Sequence, residues 1–256
     1  GASATVCSGS NSPLLTLSGN TGSIVRWESS VSPFSTWTPI ANTNTTYTSG
    51  ALTQTTQFRA VIKSGACPEA NSFEEEIAVT PPSVGGSVSG AKTICNGGNT
   101  GTLTLSGNTG TIVRWESAVA PFSTWSPIAN TTTSHSASGL TETTRFRAVV
   151  QNTVLCAEAA SSHAEIIVDN VPTFSLNPVT QSICEGGSVT FTATATSVNP
   201  ILSYQWKKDG VDIGGATSNT FTINAVVSGD EADYTVVATN TCGTSSPSNI
   251  AILTVN

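Results

Sequence analysis

Apolar and polar residues alternate with period two along most of this chain, most clearly over residues 24–29, IVRWES. Read as a strand, the stretch puts Ile24, Arg26 and Glu28 on one side and Val25, Trp27 and Ser29 on the other. The Trp27 side is assigned to the core, because a large ring gains most from burial. Arg26 and Glu28 are assigned to an outer face, where they pair with each other or across strands. Further short strands are expected over residues 14–17, 36–40, 45–49, 56–63 and 72–80, with turns such as SGNTGS between them. Glu74, Glu75 and Glu76 on the last of these read as a solvated edge strand guarded by charge. No window of useful length shows helical periodicity with caps. Seven or so short strands in about 85 residues fit a two-sheet sandwich.

The pattern is repeated. IVRWES returns at residues 112–117, so that Trp27 and Trp115 stand 88 residues apart. LTLSGNTG precedes both copies, PFSTW follows both (ending at Trp37 and Trp125), and TTQFRAV is matched by TTRFRAV. Such self-similarity marks an array of like domains. Pro81, Pro82, Gly85 and Gly86 punctuate the first boundary and DNVP at 169–172 the second, giving domains 1–82, 83–171 and 172–256. Short linkers containing Pro are semi-rigid, which predicts a rod of roughly 110–120 Å.

Composition narrows the partners. A formal charge of -7 with only 9 basic residues lacks the footprint of a nucleic-acid binder. The chain is also repelled by anionic lipid surfaces. No apolar run approaches the ~18 residues of a membrane span, so no direct membrane insertion is expected. Gly1 to Ala4 is neither basic nor apolar, so no signal peptide is expected, and the chain reads as an excised or mature piece of something longer.

The six cysteines are Cys7, Cys67, Cys95, Cys156, Cys184 and Cys242. They allow fifteen pairings. One pair per domain is favoured (Cys7 with Cys67, Cys95 with Cys156, Cys184 with Cys242), because each repeat carries two at matching positions. Close C-x-x-C spacings with nearby His are lacking, so no metal site is expected. Disulfides imply an oxidising, extracellular compartment.

Little reads as catalysis, and no cofactor is implied. No G-x-S-x-G elbow occurs. His135 and His163 have no counterparts in the first repeat, where Tyr47 and Glu74 stand, and are read as surface residues. No D-x-D-x-D-G calcium loop is present. Trp37 and Trp125 carry two readings. They either pack at a sandwich edge, as the following Pro39 and Pro127 suggest, or offer an exposed platform on which a sugar ring stacks.

Trp206 follows Cys184 by 22 residues, against 20 in each repeat. From here the third domain resembles immunoglobulin-like domains. GGSVTFTATAT looks like their strand B, with Val189, Phe191 and Ala193 inward, and YQWKKDG looks like strand C. Asp230, Ala232 and Tyr234 match the D-x-A-x-Y tyrosine corner. Ala193 and Val236 take the places of the usual buried cysteines, which have moved before strand B and after strand F. Phe58 and Phe146 sit where Tyr234 sits, within a residue or two. The resemblance implies an all-β chain of three tandem immunoglobulin-like β-sandwich domains in an extended rod. Trp27, Trp115 and Trp206 are then expected at equivalent buried places.

The wording VRWES, TTQFRAV and the trailing Cys is similar to tandem repeats of very large Bacteroidetes surface proteins, the gliding-motility adhesins of the SprB type. These are exported by the type IX secretion system. The resemblance implies a non-catalytic, outer-membrane-associated adhesin segment at the cell surface. Its expected partners are surface or extracellular polysaccharide and neighbouring repeats of the same chain. The alternative is a carbohydrate-binding or spacer array of a secreted polysaccharide-degrading enzyme.

Overall fold

A computed structural model describes residues 4–256. Gly1, Ala2 and Ser3, on which the first domain and the signal-peptide reading begin, lie outside the described residues. The first unit holds β1 (Ala4–Cys7), β2 (Leu15–Thr16), β3 (Ser23–Val31), β4 (Thr38–Ile40), β5 (Thr46–Tyr47), β6 (Thr56–Lys63), β7 (Ala70–Asn71) and β8 (Glu75–Thr80). One sheet has the order β1-β8-β6-β3-β4, with β7 on β6, and β2 pairs with β5 in a second. Between them lie Val6, Leu15, Ile24, Trp27, Phe58, Ala60 and Ile77.

The second unit repeats this plan with β9 (Ser87–Ser89), β10 (Lys92–Cys95), β11 (Gly98–Asn99), β12 (Leu103–Ser106), β13 (Thr111–Val119), β14 (Ser126–Ile128), β15 (Ser134–His135), β16 (Ser138–Leu140), β17 (Thr144–Gln151), β18 (Ala159–Ala160) and β19 (Ala164–Asp169). Its large sheet runs β10-β19-β17-β13-β14, and β15-β12-β9 lies opposite. The third unit holds β20 (Thr173–Leu176), β21 (Gln181–Ile183), β22 (Val189–Thr192), β23 (Thr194–Thr196), β24 (Ser203–Lys208), β25 (Val211–Asp212), β26 (Thr220–Ile223), β27 (Ala232–Asn240), β28 (Gly243–Thr244) and β29 (Ala251–Val255). Its large sheet runs β21-β29-β27-β24-β25. The register makes the three units one fold: Trp27 is opposite Ala60, Trp115 opposite Ala148 and Trp206 opposite Val236. The chain is all-β, with three immunoglobulin-like sandwiches in tandem.

Three expectations are corrected. Strict alternation fails at the start of β3, where the register with β6 shifts between Ile24 and Arg26. A bulge adds one residue to one strand and turns the side chains before it to the other face. Ile24 therefore joins Trp27 in the core, and Val25 is left 37% exposed. The strand that carries Glu75 and Glu76 is not an edge along its whole length: β8 pairs with β6 at the glutamates and, from Ile77 beside Ala4 to Thr80 beside Cys7, is covered on its other side by β1 in parallel.

The third correction concerns the cysteines. The bonds are Cys7–Cys156 and Cys95–Cys242, and Cys67 and Cys184 are exposed free thiols. Strand direction gives the reason. Thr56, at the start of β6, is opposite Ile77, and β8 then runs on to Thr80 beside Cys7. Cys7 thus lies past the start of β6 and Cys67 past its end. The 8 residues of β6 hold these levels roughly 26 Å apart, whereas a disulfide needs Cα atoms within about 7 Å. The first cysteine of a unit lies near the next unit, and it is the next unit's second cysteine that it meets.

Candidate functional site

Two features recur from unit to unit: a ladder of charged and aromatic side chains on the outer face of the large sheet, and a polar, disulfide-bonded junction between units. The first is positioned by the buried tryptophans. Trp27, Trp115 and Trp206 are 4%, 0% and 0% exposed. Their Nε1–H groups donate to the carbonyls of Asn44, Thr132 and Ser218 at 3.0, 2.9 and 2.9 Å. In the third unit the buried Tyr234 donates its hydroxyl to the carbonyl of Asp230 at 2.9 Å, and burial pushes its pKa up to about 12. Phe58 and Phe146 fill the same place in the other units without a hydroxyl.

With the indole turned inward, the alternate residues of β3 and β13 turn outward, but not to open water. Glu28 and Glu116 are 7% and 6% exposed. Glu28 is held by Arg26 at 2.8 Å and Arg59 at 2.8 Å, and Arg26 reaches on to Glu69 at 2.8 Å. Glu116 is held by Arg114 at 2.7 Å and Arg147 at 2.8 Å, and Arg114 reaches Glu158 at 2.8 Å. The expected exposed Arg26–Glu28 pair is thus part of a half-buried network, because arginines from two strands flank the carboxylate.

Trp37 and Trp125 are half-buried. The Arg59 guanidinium lies over the Trp37 ring at 3.9 Å, and Arg147 lies over Trp125 at 3.9 Å. Arg145 lies over Phe122 at 3.8 Å and binds Glu165. One face of each of these rings therefore already carries a cation. Arg59, Arg147, Glu69 and Glu158 were missed in the sequence, although the arginines recur 88 residues apart and the glutamates 89 apart. His163 is exposed beside Trp125, their rings 6.4 Å apart. His135 is half-buried: its ring sits 5.4 Å from both Trp115 and Phe146, where Tyr47 sits in the first unit, and burial lowers its pKa.

The ladder makes stability depend on pH. Burial, the largest influence on Glu116, pushes its carboxyl up, but hydrogen bonds and charge from Arg114 and Arg147 bring the net pKa below the ordinary 4.5. The folded state then binds fewer protons than the unfolded state near that value. The contribution is complete above about pH 4.5 and is lost as pH falls through the lower folded value. Glu116→Gln is expected to lower the melting temperature at pH 7 and to shrink the fall between pH 7 and pH 3. An unchanged fall would mean that the acid sensitivity lies elsewhere.

The junctions are built alike. Asn152 Nδ2 donates to the Pro81 carbonyl at 2.8 Å, and Asn240 Nδ2, 88 residues on, donates to the Asn170 carbonyl at 2.9 Å. At the second junction Asp169 is 1% exposed. Its carboxylate accepts from the Val198 and Asn199 N–H groups at 2.9 and 3.1 Å and from Asn240 Nδ2 at 3.1 Å. At the first, a Cβ on Gly85 would stand 2.0 Å from the Ala160 carbonyl oxygen, so no larger residue fits there. Each disulfide lies beside these bonds and closes over the linker. Among the described residues no cluster of three metal-binding side chains occurs.

Residues 1–81 and 84–170 each match the family described as a domain of unknown function, DUF8696. The chain belongs to this family. Its two DUF8696 repeats are followed by residues 171–240, which match the immunoglobulin domain family. No curated protein matches the chain. Similar solved structures include extracellular domains 3-5 of Drosophila OTK, at 14% identity over 99% of this chain and 94% of that one, with a TM-score of 0.36. An I-band fragment of titin is 13% identical over 99% and 95%, with a TM-score of 0.45. The four N-terminal immunoglobulin domains of Dscam1 isoform 7.44 are 14% identical over 99% and 71%, with a TM-score of 0.35. These likenesses concern fold alone.

Proposed function

We propose that the chain is a non-catalytic extracellular segment of a large repetitive cell-surface adhesin, one that serves attachment to surfaces or polysaccharides and gliding motility. The observation that carries this reading is the disulfide across each junction. A bond from one unit to the next restrains the hinge where a string of sandwiches would otherwise bend. It also demands an oxidising compartment. Restrained hinges suit a spacer that holds a binding region away from the cell and carries tension. Weak contacts repeated along many such units add by avidity. The reading as a carbohydrate-binding array needs an open aromatic face, and the guanidinium groups over Trp37 and Trp125 occupy one face of each ring.

Small-angle scattering on the oxidised and reduced chain tests the spacer reading. The oxidised chain is expected to be a rod of roughly 110–120 Å, and the reduced chain to broaden in its distance distribution as the hinges loosen. A compact particle, or identical curves in both states, would overturn it. A surface-adhesion assay run with a glycan array addresses attachment. Glycan binding abolished by Trp37→Ala and Trp125→Ala would favour the carbohydrate-binding array.

A further inference from the structure

The two disulfides obey one rule. The first cysteine of a unit bonds the second cysteine of the unit that follows it: Cys7 to Cys156, then Cys95 to Cys242. Under that rule two positions in the described array are left over. Cys67 is the second cysteine of the first unit and Cys184 the first cysteine of the third, and both are exposed free thiols. Their counterparts in the middle unit, Cys156 and Cys95, are both bonded.

Local geometry shows that the free thiols are set up as the bonded ones are. Cys7 and Cys95 are each followed by a residue whose N–H ties it to the end of the unit's last strand, Ser8 to the Thr80 carbonyl at 2.9 Å and Asn96 to the Asp169 carbonyl at 2.9 Å. Glu185, after Cys184, does the same to the Asn256 carbonyl at 3.1 Å. At the other end, Cys156 sits in a turn closed by its N–H to the Thr153 carbonyl at 3.0 Å, and the Cys67 N–H closes the same turn on Ser64 at 3.1 Å. Two differences are visible: the Cys242 N–H donates instead to Asn240 Oδ1 at 2.8 Å, and, counted from the paired strands, Ser64 stands where Asn152 and Asn240 clamp the preceding linker, the second unit having one extra residue before Cys156.

We propose that Cys184 and Cys67 are the two halves of one further inter-unit disulfide, so that a domain of this family placed after the third unit is bonded through Cys184 and one placed before the first through Cys67. A second copy of this chain, joined head to tail, supplies the matching partner: Cys184 of the leading copy and Cys67 of the trailing one. The bond forms by oxidation of two thiols. One S–S bond is made, two S–H bonds are broken, and the two protons and two electrons pass to a disulfide oxidant, which leaves as two thiols. Oxidised glutathione is such an oxidant. The result is a covalent relay in which every junction is closed by the same bond.

The test is a fusion of two complete copies of the chain through a linker copied from residues 169–172, oxidised with a glutathione buffer and mapped without reduction. Each copy alone carries 2 free thiols, Cys67 and Cys184. The fusion is expected to lose one from each copy, with a single new peptide pair joining Cys184 of the leading copy to Cys67 of the trailing copy. Cys184→Ser in the leading copy is expected to leave the trailing Cys67 open to alkylation. The proposal is overturned if all the thiols stay alkylatable, or if the new bond joins Cys67 to Cys67, Cys184 to Cys184, or the two within one copy. Mapping the same digest for Cys7–Cys156 and Cys95–Cys242 reports on folding of both copies.

Discussion

Trp115→Ala is expected to destabilise the middle unit by about 3–5 kcal/mol, a large share of the roughly 5–15 kcal/mol that holds a domain of this size folded. The ring is fully buried among Leu103, Leu105, Phe146, Ala148 and Ile166. Truncation would leave a cavity between the two sheets and strand the Thr132 carbonyl that accepts from Nε1. Each kcal/mol moves the melting point of an 80-residue domain by about 4–8 °C, so calorimetry should show one transition displaced by on the order of 20 °C and the other units less affected. Val113→Ala is the contrast. Val113 is the unpaired residue of the bulge and is 36% exposed, and its truncation is expected to cost no more than about 0.5 kcal/mol. Equal damage from both changes would mean that the strand faces the other way, and the core assignment would fall with it.

What could be read in the sequence was what is local. The tyrosine corner needs only a partner four residues away, and D-x-A-x-Y carries it; the structure places the Tyr234–Asp230 bond there. The two-residue period of β6 carries Phe58 and Ala60 into the core, and the repeat itself announces units of one kind. What could not be read depends on relations between strands. The bulge at Ile24 is an offset between β3 and β6, and nothing in IVRWES alone shows which side of it the alternation belongs to. Glu28 is alternately placed and looks solvated, but Arg59 arrives from β6 to hold it and stacks in turn on Trp37. The disulfides failed for a related reason, although the information was present. A cysteine before strand B and one after strand F belong to opposite ends of an immunoglobulin-like sandwich, so a pairing within one unit conflicted with the fold that the other residues implied. Matching positions in successive repeats were equally consistent with bonds between repeats.

Removing the first staple, set beside single changes at Cys67 and Cys156, separates these alternatives. In Cys7→Ser/Cys156→Ser the first unit should lose about 4 kcal/mol of stability. The bond joins two units, yet it restrains the unfolded first unit much as an internal bond would. With the second unit folded, the chain from Cys7 to the linker at Pro81 is anchored at both ends, at Cys156 and at the Asn152 contact. That closes a loop of roughly 75 residues, and closing such a loop removes about 4 kcal/mol of entropy from the unfolded state in the chain-entropy model. Melting of the first unit should fall by on the order of 20 °C, and hydrogen exchange in β6 should speed up accordingly. Cys67→Ser supplies the control. Its thiol is exposed and free, so the change is expected to leave melting within about 0.5 kcal/mol of the parent. A bond from Cys7 to Cys67 predicts the opposite pair of results, with Cys67→Ser as harmful as Cys7→Ser and Cys156→Ser harmful only to the second unit. Loss of Cys7 or reduction of the parent chain harms the first unit under either pairing, so the single variants Cys67→Ser and Cys156→Ser decide between them.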